Sequence, residues 1–112
     1  MDLSAERIGD LLVVRAMEDR IDAAAAILFK ERMRAATEGQ AGHVLLDLSR
    51  VQFLDSSGLG AVVAVMKLLA PDRRLELAGL TPTVEKVFRL TRMDSVFTIH
   101  AEPPQPGLRH AG

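Results

Sequence analysis

Hydrophobic and polar positions fall into short blocks along the chain, and their period switches between two and about 3.6. Leu3 to Ile8 alternates only in part, because Ser4, Glu6 and Arg7 interrupt it. With the turn signal Gly9-Asp10 and the apolar run Leu11-Leu12-Val13-Val14, it predicts a hairpin whose first strand lies at an edge. Met17 to Asp22 is mostly charged and reads as a loop. Asp22 then stands where an N-cap belongs, before Ala23 to Ala36, a run dominated by good helix formers. Phe29, Met33 and Ala36 fall at i, i+4 and i+7 and share its inward face. Gly39 and Gly42 stop it.

His43 to Leu48 is short, apolar and bounded by glycine and polar residues, the pattern of a buried central strand. Val51 to Leu54 reads as an apolar link, and a second helix runs from about Ser57 to Leu69, ended by Pro71-Asp72. Leu75 and Leu77 mark a third core strand. Gly79-Leu80 turns the chain into a helix with Thr81 as N-cap, Pro82 at its first position, and Val84, Val87, Phe88 and Thr91 facing inward. Val96 to Ile99 makes a last strand. The order β-β-α-β-α-β-α-β argues for an α/β domain, one mixed sheet with helices packed on it. Residues 1–101 form that domain. Residues 102–112, with Pro103, Pro104 and Pro106, are expected to be a flexible tail.

The chain has 112 residues, 14 Lys+Arg against 15 Asp+Glu, 48% hydrophobic content and no Cys, Trp or Tyr. One domain with a real core fits that size. The lack of cysteine removes disulfides, zinc–thiolate sites, iron–sulfur clusters and thiol catalysis. A net charge of −1 and four Phe as the only aromatics do not suit a nucleic-acid partner. No apolar run approaches the roughly 20 residues of a membrane span, so direct membrane insertion is not expected. The acidic start Met1 to Glu6 does not resemble a signal peptide, so a cytoplasmic location is expected. His43, His100 and His110 show no ligand spacing, and neither metal nor cofactor is expected. No Rossmann, phosphate-loop or hydrolase-elbow spacing is complete, so no enzyme is expected. Asp47 invites comparison with the phospho-accepting aspartate of receiver domains, but the accompanying acidic pair and lysine are missing. Lys86, Arg89 and Arg92 read as a solvated helix face.

Phe53-Leu54-Asp55-Ser56-Ser57-Gly58-Leu59-Gly60 carries the candidate chemistry. Two hydroxyls follow a carboxylate where a strand-like segment becomes a helix. Unpaired N–H groups and the helix dipole there favour negative charge, so a phosphate on Ser56 or Ser57 can be held. Phosphorylation adds about −1.5 to −2 charges, enough to abolish an apolar contact on a surface flanked by Leu59 and Val62. Gly58 takes away bulk beside the hydroxyl, which would admit a second protein. The same residues also read as nothing more than a capping turn. From Leu59 to Leu69 only Lys67 is charged. Such a helix is buried or partly covered by a partner; its own core takes most of these side chains, and a docking face along the first turns is the other reading.

Val44 to Leu48, the run Phe53 to Gly60, Leu75 to Pro82 and Val84 to Leu90 together resemble the STAS domain of anti-sigma factor antagonists, over roughly residues 8–100. The resemblance implies the STAS fold and a partner switch. The unmodified protein would bind an anti-sigma factor that is also a serine kinase of the histidine-kinase-like ATPase fold. That kinase would phosphorylate Ser57 and so release it, and a PP2C-type phosphatase would restore it. Asp55 matches the acidic neighbour of the phosphoserine, and Asp22 matches the aspartate of a Gly-x-Leu-Asp loop beside the same surface. The expected partner-binding set is Asp22, Asp55, Ser56, Ser57, Gly58, Leu59 and Val62. Asp19 stands where that loop usually has glycine. The alternative function is a STAS subunit that docks the ATPase of an ABC-type membrane transport assembly.

Overall fold

A computed structural model describes residues 1–104. The expected tail lies outside the described residues from 105 onward, and Pro103 and Pro104 are half-buried. Strands β1 (Leu3–Ile8) and β2 (Leu11–Ala16) form the hairpin, paired antiparallel with Ile8 opposite Leu11. Strands β4 (Val44–Asp47), β6 (Leu75–Ala78) and β7 (Ile99–His100) then add in parallel, giving the order β1-β2-β4-β6-β7. Helices α1 (Ala23–Thr37), α2 (Ser56–Leu69) and α3 (Pro82–Leu90) are the crossovers between successive parallel strands.

Each crossover moves the chain in the same direction along the sheet. Crossovers of this kind share one hand, so all three helices fall on one face. Their buried side chains, among them Phe29, Met33, Val62, Val65, Val84 and Phe88, pack in one core with Leu12, Val14, Val44, Leu46, Leu75 and Leu77. Phe88 meets Phe97 edge to face at 5.9 Å between centroids, a favoured aromatic geometry.

The expectation of a single sheet needs correction. Two further strands, β3 (Arg20–Ile21) and β5 (Phe53–Leu54), pair in parallel as a separate ribbon, inside segments that read as a loop and a link. The carbonyl of Asp19 joins them by accepting from the N–H groups of Gln52 (2.7 Å) and Phe53 (3.2 Å). Strands of two residues are too short for alternation to be read. The last strand is Ile99–His100 rather than Val96 to Ile99, because a 3₁₀ turn at Met93–Ser95 puts Phe97 into the core.

Side-chain assignments on two helices also shift. On α1, Thr37 is buried and Ala36 only half-buried; the Thr37 hydroxyl donates to the carbonyl of Met33 at 2.8 Å. Thr91 is exposed and follows α3. Pro82 is at the start of α3 as expected, but Thr81 makes no side-chain cap; its hydroxyl donates 2.7 Å to the carbonyl of Val51.

Phe88 is fully buried in this core and packs against Phe97. Phe88→Ala is expected to lower unfolding free energy by about 3–5 kcal/mol. Thr91→Ala should stay within about 0.5 kcal/mol. Urea denaturation of both variants checks the assignment of the inward face.

Candidate functional site

Strands β3 and β5 lie side by side and each runs straight into a helix. The two junctions are built alike. Asp22 has φ −99° and ψ −171°, and its carboxylate accepts from Ala25 N–H at 3.1 Å. Asp55 has φ −97° and ψ −171°, and its carboxylate accepts from Gly58 N–H at 2.9 Å. Their main-chain carbonyls accept from Ala26 (2.8 Å) and Leu59 (2.9 Å). Asx capping of this kind fixes where each helix starts. Parallel strands that feed parallel helices bring two helix N-termini, and so two positive dipole ends, to one side of the molecule.

Ser56 and Ser57 are the first two residues of α2, and both are exposed. Asp22 and Asp55 beside them are half-buried, held by the capping bonds. Leu59 is half-buried and packs on the core from the same turn. The structure thus brings Asp22, Asp55, Ser56, Ser57 and Leu59 to one edge.

Two members of the expected set do not belong on that surface. Val62 has 0% exposure and is part of the core under the helix; a helix that starts at Ser56 turns it toward the sheet. Gly58 is buried as well. A Cβ there would sit 2.1 Å from the carbonyl oxygen of Ile21 and 3.1 Å from Leu54 Cγ. Its missing side chain therefore admits the protein's own strand β3, not a second protein. Gly60 has open space around its Cβ position.

Arg20 and Phe53 were not singled out by sequence reasoning. They pair across the β3–β5 ribbon, with the Arg20 guanidinium 5.2 Å from the centre of the Phe53 ring. Phe53 is 41% exposed, an unusual exposure for an aromatic side chain next to the capping turn. Arg20 also stands 3.8 Å from the second oxygen of Asp22. Their signal in the sequence was the charged loop Asp19-Arg20-Ile21-Asp22. Asp19, the departure from the glycine of the resembled family, acts through its carbonyl on β5.

Asp47 is not a reactive carboxylate of the receiver type. It is 1% exposed, bonded to Arg15 Nε at 2.7 Å and to Ser49 N–H at 2.9 Å. Both its oxygens are occupied by structure. Among the described residues no cluster of three His, Asp or Glu could hold a metal ion, and no helix is long and apolar enough to cross a membrane.

Comparison with known proteins agrees with this architecture. The chain is 28% identical over 100 residues to BtrV of Bordetella bronchiseptica, provisionally named an anti-sigma factor antagonist, covering 88% of this chain and 85% of that one. An anti-sigma-factor antagonist (STAS) domain protein of Planctomyces limnophilus superposes with a TM-score of 0.82 at 22% identity, covering 92% of each chain. The unphosphorylated anti-sigma factor antagonist SpoIIAA superposes with a TM-score of 0.66 at 24% identity over 90% of each chain. The phosphorylated Bacillus SpoIIAA gives 0.62 at 23%, over 89% of this chain and 91% of that one. The STAS domain family profile matches residues 2–104, nearly the whole chain, and with the mixed sheet, one-sided helices and capped α2 it establishes that this protein belongs to the STAS domain family.

Proposed function

We propose that this protein is an anti-sigma factor antagonist that works by partner switching. In this reading it binds an anti-sigma factor with serine kinase activity and is released by phosphorylation at Ser57. The observation that carries the proposal is the exposed hydroxyl of Ser57 in the first turn of α2, beside the capping carboxylate of Asp55. The names of BtrV and SpoIIAA, and the existence of SpoIIAA in a phosphorylated form, support it. Both Ser56 and Ser57 are exposed; the choice of Ser57 follows the resemblance to the family motif.

The physics of the switch separates fold from complex. A phosphate on Ser57 sits at a helix N-terminus, where the dipole favours negative charge by about 0.3–1 kcal/mol. It faces solvent, so the folded state keeps it hydrated. A partner covering the same turn must strip water from about −1.5 to −2 charges, next to the carboxylates of Asp22 and Asp55. That cost reaches several kcal/mol for a buried ion without a counter-charge. The domain therefore stays folded while the complex is lost. The docking face consists of Asp22, Asp55, Ser56, Ser57 and Leu59, joined by Arg20 and Phe53. Aromatic and Arg side chains are the usual energetic anchors of such faces. The protein itself performs no catalysis in this scheme, and a phosphatase of the PP2C type resets it.

Three measurements follow. Incubation with the cognate kinase and labelled ATP should modify wild type and Ser56→Ala but not Ser57→Ala; label retained in Ser57→Ala and lost in Ser56→Ala moves the site. Ser57→Asp should weaken kinase binding at least about tenfold, or ~1.4 kcal/mol, with an unchanged circular dichroism spectrum. Asp55→Ala removes a cap and should cost about 0.5–2 kcal/mol of stability, read by urea denaturation.

A further inference from the structure

Arg20 is the one cation of the docking face, and it is loosely held. Its side chain is 61% exposed. The guanidinium lies 5.2 Å from the centre of the Phe53 ring and 3.8 Å from one oxygen of Asp22, the latter beyond hydrogen-bond distance. The other Asp22 oxygen is committed to the helix cap. Other arginines of the fold are tied down. Arg15 donates to Asp47 at 2.7 Å, and Arg73 donates to the carbonyls of Thr37 and Gln40 at 2.9 and 2.7 Å. A guanidinium carries five N–H donors in a planar fork, and neither the ring nor Asp22 draws on that fork through a hydrogen bond.

The ribbon sets this cation beside Ser57. Ile21 follows Arg20, and its carbonyl meets the backbone of Gly58, which follows Ser57. Arg20 and Ser57 thus each stand one Cα–Cα step, ~3.8 Å, from the same contact. Side chains alternate along a strand, so Arg20 points away from buried Ile21, and both Arg20 and Ser57 face solvent. Charge decides between acceptors. A phosphoserine carries about −1.5 to −2 charges and three strong acceptor oxygens. Asp22 offers a single charge with one oxygen already in use, and the ring offers only its quadrupole. The guanidinium fork also matches phosphate in the bidentate geometry that makes such pairs strong.

We propose, resting on the partner-switch reading above, that Arg20 is the residue that reads the phosphate on Ser57. Loading moves the γ-phosphoryl of ATP to Ser57 Oγ, with release of ADP and the hydroxyl proton. The guanidinium then leaves the Phe53 ring and Asp22 and donates to the phosphate oxygens. One guanidinium does not neutralise the dianion, and Asp22 loses its nearest cation, so the face stays acidic. The partner meets that charge and also loses the Arg20–Phe53 pair as an anchor. Phosphorylation in this account rearranges the docking face without moving the fold.

The test uses the full chain with phosphoserine incorporated at position 57 during synthesis, so no kinase is needed. In the unmodified protein, nuclear Overhauser contacts are expected between the Arg20 δ-methylene and the Phe53 ring. With phosphoserine these contacts should fall at least several-fold, and the Arg20 Hε resonance should move downfield as it donates to phosphate. The second ionisation of the phosphate, followed by ³¹P NMR, should lie at least about half a pH unit higher in Arg20→Gln than in wild type, because a nearby cation favours the dianion. The acidic neighbours Asp22 and Asp55 are the same in both proteins. The inference is overturned if the Arg20–Phe53 contacts persist unchanged beside phosphoserine, or if the two ionisations coincide. That failure leaves the switch reading standing. A cognate kinase that leaves Ser57 unlabelled overturns the switch reading, and the regulatory role of Arg20 with it, whatever the phosphoserine protein shows.

Discussion

The presentation of the site depends on one close approach. The first turn of α2 lies against the carbonyl of Ile21, and only a residue without Cβ permits it at position 58. That contact fixes α2 against strand β3 and, through the β3–β5 pairing, against the strand that precedes it. With Gly58 turned inward, the preceding Ser57 is turned outward. A backbone contact in the interior therefore fixes the helix start at which both Ser56 and Ser57 meet solvent.

The same geometry explains why two aspartates carry the site. Each short strand needs a sharp change from extended to helical backbone, and each carboxylate satisfies an N–H that the new helix leaves unpaired. The caps are structural first. Their consequence is electrostatic: two fixed carboxylates frame the hydroxyls, with Arg20 the cation closest to Asp22 in the ribbon. In the proposed switch, an added phosphate would enter a surface that is already acidic, so an incoming partner would meet a much larger desolvation cost while the helix start is undisturbed.

One-sided helix placement has a second consequence. Among the described residues, successive crossovers in one direction leave the far face of the sheet without helical cover, and the polar pairs Arg15–Asp47 and Glu76–His100 border its apolar centre. The ion pair at Asp47 uses both carboxylate oxygens for structure, which accounts for an acidic residue at the end of a central strand without any reactive role.

Most of the architecture was legible along the chain. The β2, β4 and β6 runs, the cap at Asp22, Pro82 at a helix start and the turn Asp55 to Gly60 all follow from local chemistry: apolar period, cap donors and backbone freedom. What local chemistry could not reach was anything set by a distant neighbour. Strands β3 and β5 exist because Asp19 and Phe53 meet across some thirty residues of sequence. Gly58 and Val62 were read as surface residues because they lie beside the candidate serines in the first turns of α2, and only the packing of that helix on β3 and the sheet turns them inward. Thr81 caps nothing because Val51, from another loop, takes its hydroxyl. The sequence by itself determined the longer strands and the helices, the family motif and the candidate serines, since these rest on interactions within a few residues. Only the tertiary structure decided which side chains face solvent, because burial is a property of what lies across the gap and not of what comes next in the chain.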